Sequence, residues 1–256
     1  MDPISADPVP QLRLKMLIAY DGRPFRGWQS QAGGDAVQDH VEAAFAKLCG
    51  QRLVVYGAGR TDAGVHALGQ VAHVDVPVAR LPFERWLNAI NAHLPPEVRI
   101  LKITRPGADF HSRFSARGKV YTYRICNQWV MPPLELGRAW HFPSPLDAGI
   151  LRQCAELLEG THDFKAFAAN RGKPDESTTR TIHEIKVRVS GSQISLRFTG
   201  NGFLYRMVRL LTGSMVRCAQ GRADLSWIET MLAKKGELKS SFAAPAEGLY
   251  LTRVLY

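Results

Sequence analysis

Residues 53–76 read LVVYGAGRTDAGVHALGQVAHVDV. Leu53 to Tyr56 and Gln70 to Val76 are rich in β-branched and aromatic residues, and Gly57, Gly59 and Gly64 interrupt the apolar pattern between them. The segment therefore predicts two strands joined by a glycine-rich loop. Upstream, Leu12, Leu14 and Met16 alternate with Arg13 and Lys15, and Leu17 to Tyr20 run on to the Asp21-Gly22 turn, as a strand does. Val37, Val41, Phe45 and Leu48 then recur at helical spacing, with Asp35 and Gln38 as a capping-box-like start and Gly50 as the stop. Downstream, Pro82 opens a second helix bearing Trp86, Ile90 and Leu94 on one face, and Val98 to Thr104 gives a fourth strand. The order β-α-β-β-α-β is ferredoxin-like.

The rest of the chain repeats that order loosely. A strand is expected at Lys119 to Cys126 and a helix from Ala148 to Glu159, between Asp147 as cap and Gly160 as stop. Strands at Thr181 to Val189 and Gln193 to Phe198 precede a long helix over Gly202 to Ala219, a shorter one from Leu225 to Lys235, and a strand at Leu249 to Leu255. The expected fold is α/β of the α+β kind, two ferredoxin-like halves with largely antiparallel sheets. Element order alone supports it, since no sequence repeat links the halves. The division is a flexible lead-in over 1–11, an N-terminal half over 12–105 and a C-terminal half over 106–256. Residues 171–178 and 236–247 read as exposed loops.

A chain of 256 residues, 45% hydrophobic and 22% charged, can bury a sizeable core. Lys and Arg number 33 against 23 Asp and Glu, a formal charge of +10 that favours a polyanionic partner such as nucleic acid; a merely basic enzyme is the plainer alternative. The two nearest of the four cysteines, Cys126 and Cys154, lie 28 positions apart, which excludes a C-x-x-C pair. Reduced thiols in a cytosolic protein are the simplest account. The first ten residues lack a basic segment followed by an apolar run, so no secretory signal is read there. No apolar stretch approaches the roughly 18 residues of a spanning helix. A soluble, cytoplasmic protein without a membrane partner is expected.

Three stretches have the residue types for chemistry. On the loop from Gly57 to Ala67, Arg60 and Asp62 are placed to act outward, although a structural turn with a solvated Arg-Asp pair fits as well. The G-x-x-x-x-G-K-[ST] phosphate loop is missing. In the long helix, Leu204, Met207, Val208, Leu211, Met215 and Cys218 form a core stripe. Arg206, Arg209 and Arg217 fall opposite with Gly213 among them, either as a cationic surface open to close approach or as an ordinary solvated face. One of these arginines, meeting Asp62 across a cleft, would hold its carboxyl ionised by lowering its pKa. Between Arg105 and Arg124, Phe110, Phe114, Tyr121 and Tyr123 interleave with Arg113, Arg117, Lys119 and Arg124, the pairing of stacking rings and cations that grips exposed RNA. Tyr121 and Tyr123 share a strand face, and core packing is the alternative for both.

The eight histidines show no metal-ligand spacing, and His66 and His73 read as structural. No G-x-S-x-G elbow is present. A carboxylate, an arginine and a tyrosine remain, a set able to act on a sugar carbon or an electrophilic base with no metal and no redox cofactor. A metal-free glycosidase would need a second carboxylate roughly 5–10 Å from Asp62, for which Asp21 is the nominee.

At these residues the chain resembles the tRNA pseudouridine synthase A family, the TruA type. The resemblance rests on Tyr20-Asp21-Gly22 with Gly27-Trp28-Gln29, on Gly59 to His66, and on Phe110-His111 with Arg113-Phe114-Ser115-Ala116. It continues through Lys119 to Tyr123, His162-Asp163-Phe164, Met207-Val208-Arg209 and Glu247 to Leu251. Phe25 stands where that family often has Tyr. The resemblance implies an isomerase that converts uridine to pseudouridine at nucleotides 38 to 40 of the tRNA anticodon stem-loop. It places the nucleophilic aspartate at Asp62, the stacking tyrosine at Tyr121, the conserved arginine beside the aspartate at Arg60, and the arginine that pairs with the aspartate at Arg209. It further implies two ferredoxin-like halves facing a central basic cleft, and a homodimer in which one tRNA contacts both subunits.

Such a reaction breaks N1–C1′, turns the uracil and joins C5 to C1′. The target base must leave its stack, at a cost of a few kcal/mol, and Arg60 is suited to fill the vacated space. Asp62 attacks C1′ or C6, or deprotonates the sugar; Tyr121 stacks on the uracil, and Tyr121 or Asp62 takes the C5 proton. The competing reading is a non-catalytic RNA-binding protein of paired ferredoxin-like units.

Overall fold

Strict alternation shapes β1 (Gln11–Tyr20): Leu14, Met16, Ile18 and Tyr20 are buried on one side while Arg13 and Lys15 leave by the other. The computed structural model describes residues 10–78, 80–169, 177–234 and 236–256. It continues with α1 (Val37–Cys49), β2 (Tyr56–Gly57), β3 (His66–Pro77), α2 (Trp86–Asn91) and β4 (Val98–Thr104). A second series follows: β5 (Gly118–Cys126), β6 (Trp140–His141), α3 (Ala148–Leu158), β7 (Gly160–Asp163), β8 (Thr179–Ser190), β9 (Gln193–Gly200), α4 (Met207–Ala219), α5 (Leu225–Ala233) and β10 (Leu249–Leu255).

The strands lie in the order β4-β1-β3-β10-β5-β9-β8-β7, with β2 on β3 and β6 on β5. In each series the last strand lies beside the first, and the first also pairs with the last strand but one, giving β4-β1-β3 and β10-β5-β9. The mixed α/β class with a largely antiparallel sheet is the one expected. The strands do not form two separate sheets, however. β10 runs parallel to β3, pairing Tyr250 with His66 and Leu251 with Ala67, and so joins both series into one sheet.

Helix packing completes the core. Phe45 of α1 and Trp86 of α2 meet with ring centroids 5.8 Å apart, and Ile90 is fully buried behind them. Burying side chains of this size contributes about 1.5–3 kcal/mol each. The Asp147 carboxylate caps α3 by accepting from the Gly149 and Ile150 amides, as expected. Helix α4 is buried around nearly its whole circumference, and a methyl group on Gly213 would strike the Phe242 carbonyl, so a passing chain fills the space.

Several boundaries differ from expectation, each for a local reason. Ala36, not Asp35, caps α1, and Asp39 closes the turn by accepting the Ala36 amide at 3.0 Å. Of the expected strand over Leu53–Tyr56 only Tyr56 pairs, as the start of β2, because the Val55 amide and carbonyl are bonded by the Glu42 and Gln38 side chains of α1. β3 begins at His66, inside the glycine-rich block. Residues 202–206 do not belong to α4: Arg206 sits at φ 58°, and among the described residues it is the only non-glycine in the left-handed region. Residues 236–247 are not exposed throughout, since Ser240 and Ala244 are buried. Of the expected lead-in, residues 1–9 lie outside the described residues, as do 171–176 of the expected 171–178 loop and Lys235 at the end of the expected last helix.

Candidate active site

The glycine-rich loop is wedged in place from β1 outward. The buried Tyr20 hydroxyl shares a 2.8 Å hydrogen bond with Thr61 Oγ1, and the Trp28 amide donates to the Thr61 carbonyl at 3.1 Å. Gly27 stands at φ +91°, and a methyl group there would strike that same carbonyl. Phe25 accepts the Gly64 amide through its carbonyl, and its ring is buried, so the missing tyrosine hydroxyl is not part of this support. The Tyr20-Asp21-Gly22 and Gly27-Trp28 segments thus form a cradle for residues 61–65.

His66 anchors the loop's exit. Its Nδ1 accepts the Gly22 amide and its Nε2 lies 3.1 Å from the Gly137 carbonyl, which together define the neutral Nε2–H tautomer. Burial pushes its pKa down, in keeping with that form. His73 is also structural: its Nδ1 accepts from the Ser112 amide, and its ring stacks on Tyr56 with centroids 5.1 Å apart.

A cleft of about 610 Å³ opens over this loop. Arg60, Asp62 and Tyr121 line it, and Asp62 is the only carboxylate among its described lining residues. Arg209 is not part of that lining. It reaches the site from α4, with Nη1 3.1 Å from Asp62 Oδ2 and Nε donating to the Ala244 carbonyl at 2.7 Å. The Ala244 amide in turn donates to the Arg209 carbonyl at 3.0 Å. Both partners are largely buried, at 13% and 17% side-chain exposure, so the pair is shielded from the solvent that weakens surface ion pairs.

The three arginines of the long helix do not form a shared cationic face. Arg209 is spent on Asp62 and Ala244, exposed Arg217 lies over the Trp227 ring, and Arg206 precedes the helix and borders the cleft. Gly213 admits Phe242 and leaves no open surface.

The two tyrosines on β5 separate in role. Tyr123 is fully buried and donates to the Pro245 carbonyl at 2.7 Å, which is core packing. Tyr121 borders the cleft, and Phe203 meets its ring edge-on at 5.2 Å. Arg60 is exposed at the mouth. Phe114, 77% exposed, stands at the same mouth, held by a turn in which His111 Nδ1 accepts from the Arg113 and Phe114 amides. Asp21 lines a separate depression and is paired to Arg23 at 2.5 Å, so it is not a second carboxylate of the cleft. His162-Asp163-Phe164 also lies elsewhere: Asp163 ties the end of β7 to Thr178, and Phe164 is core. Sequence reasoning missed Phe203 and Ala244, whose ordinary side chains give no chemical signal, because they act by packing and through the backbone.

A family profile described as tRNA pseudouridine synthase matches residues 16–115 and 154–256. Among curated proteins, the chain is 45% identical over 251 residues to a tRNA pseudouridine synthase A of Akkermansia muciniphila, with 95% of each chain covered. It is 40% identical to the protein of that name from Geobacillus kaustophilus, covering 95% of this chain and 94% of the other. Against that of Anaplasma phagocytophilum the identity is 38%, covering 96% and 100%.

Proposed function

Because the chain belongs to the tRNA pseudouridine synthase A family and is an isomerase acting on tRNA, we propose that Asp62 is its nucleophile and that its target lies in the anticodon stem-loop, at nucleotides 38 to 40. Uridine and pseudouridine have the same atoms. The N1–C1′ bond breaks, C5 bonds to C1′, the C5 hydrogen leaves as a proton and N1 gains one. The protein must expose one nucleotide, hold it, and supply a carboxylate and a proton acceptor.

The cleft has a group for each requirement. Arg60, exposed at the mouth, enters the stack as the base leaves it. Tyr121, braced edge-on by Phe203, stacks on the extruded uracil. Asp62 acts on the nucleoside while Arg209, clamped by Ala244, fixes its carboxylate and offsets its charge. The C5 proton passes to Tyr121 or to Asp62. The observation that carries this reading is that the only carboxylate among the described lining residues is also the one held by a largely buried arginine.

Tritium release from tRNA transcripts labelled at uracil C5 tests it. Wild type is expected to release the label, and Asp62→Asn to release none while still binding the transcript. Undiminished release by Asp62→Asn overturns the assignment.

We further propose the halves 12–105 and 106–256, a cytoplasmic location and a homodimer with one tRNA touching both subunits. The +10 charge and the arginines around the cleft support a tRNA-sized polyanion, and no described helix is long and apolar enough to cross a membrane. Sedimentation with and without tRNA tests the dimer.

A further inference from the structure

One half-buried cation in the cleft has no part in the chemistry above. Lys119, at the start of β5, is half-buried in the cleft wall, and an ideal Cβ on Gly59 would come within 2.5 Å of its Nζ. The glycine of the Gly59-Arg60-Thr61-Asp62 segment therefore makes room for this ammonium. No carboxylate answers it: among the described residues Lys119 makes no hydrogen bond or ion pair. Its charged surroundings are Arg60 and Asp62 from the loop, His111 and Arg113 from the turn before β5, Arg180 from β8 and Arg206 before α4. The one acid among them, Asp62, is bound to Arg209.

Burying an ammonium beside like charges without a partner is unfavourable in the free protein. A site built this way gains on taking an anion. A stacking platform at Tyr121 and a carboxylate at Asp62 bring a nucleotide to the cleft, and a nucleotide in a chain carries its phosphodiester with it.

We propose that Lys119, with Arg113 beside it, is the phosphodiester-binding site of the cleft, taking a backbone phosphate of the RNA next to the nucleotide on which Asp62 acts. This rests on the function proposed above. It makes Lys119 a substrate-binding residue, and it couples RNA binding to a proton. Burial first, then Arg113 and Arg180, push the Lys119 pKa down to about 8. The ammonium is present at pH 7 and is lost as pH rises through about 8, whereas a bound phosphate draws the value back up.

The test compares wild type, Lys119→Met and Lys119→Arg in two assays: anisotropy of a fluorescein-labelled anticodon stem-loop RNA, from pH 6.5 to 9.5 and across salt, and tritium release. Thermal melts confirm that each variant is folded. At pH 7 Lys119→Met is expected to bind about tenfold more weakly, with kcat changed less than KM and a salt slope shallower by about one phosphate contact. Wild-type binding is expected to weaken above pH 8, and Lys119→Arg, charged throughout, to bind across the whole range. Lys119→Met binding within twofold of wild type with the same salt slope overturns the proposal, as does a pH profile that Lys119→Arg leaves unchanged. If no variant, wild type included, releases tritium while the binding differences hold, the assigned reaction falls and the anion site stands.

Discussion

Arg209 and Asp62, 147 positions apart in sequence, meet at 3.1 Å, and the backbone of Ala244 holds the guanidinium from the other side. Helix α4 and the glycine-rich loop are thereby tied at the proposed nucleophile. Each nitrogen of Arg209 named here has its own acceptor, so the side chain has little freedom to turn away.

Replacing Arg209 with Ala is expected to lower kcat on the order of 10²-fold while changing tRNA affinity little, because the lost contact is to the proposed nucleophile and not to RNA. Arg209→Lys recovers only part of the rate, since one ammonium does not reproduce the two separate contacts. Single-turnover kinetics beside equilibrium binding checks this. Equal losses in both would make Arg209 a phosphate contact.

Gly27 lies outside the cleft lining, yet Gly27→Ala is expected to impair turnover. Its φ of +91° and its contact with the Thr61 carbonyl mean that a methyl group displaces the residue preceding Asp62. Strain of this kind costs about 1–3 kcal/mol. A lower melting temperature with reduced kcat is the expected pair of results, and an unchanged kcat would show that the loop tolerates the shift.

His73 sets an acid limit on stability. Burial first, then His111 and Arg13, push its pKa down to about 4, against about 6.5 in the unfolded chain. The unfolded state therefore binds the proton more readily between those values. The stabilisation, up to about 3 kcal/mol, is full above pH 6.5 and is lost as pH falls towards 4. In His73→Asn, whose amide oxygen stands in for Nδ1, melting temperatures from pH 8 to 4 are expected to converge on those of wild type as pH falls. A constant gap would place the acid sensitivity elsewhere.

What the sequence made legible follows the range of the forces involved. β4 and β10 match their expected limits because short strands with clear apolar patterns and turn residues at their ends are local signals. The spacing of Leu204 continues the apolar period of the long helix past the point where Arg206, in a left-handed conformation, interrupts it. Gly213 read as open space, since spacing shows that a residue is small but not that Phe242 occupies the gap. Asp62, Arg60 and Tyr121 line one cleft, and Arg209, which the family resemblance names as the partner of the aspartate, does meet Asp62; that it does so from outside the lining is a long-range fact no local pattern encodes. In the sequence Lys119 is one cation in a basic strip, and only the structure shows it half-buried and, among the described residues, without a counter-charge.

The parallel joint between β3 and β10 has a bearing on how the molecule is made. A ribosome delivers β3 long before Tyr250 and Leu251, the residues that pair with it, so the exposed edge of the early strands waits for the late ones. Pairing across so much sequence is slow, and an uncovered edge invites association with other nascent chains. Since His66 both starts β3 and closes the loop that carries Asp62, the last strand to leave the ribosome pairs with the residue that anchors that loop.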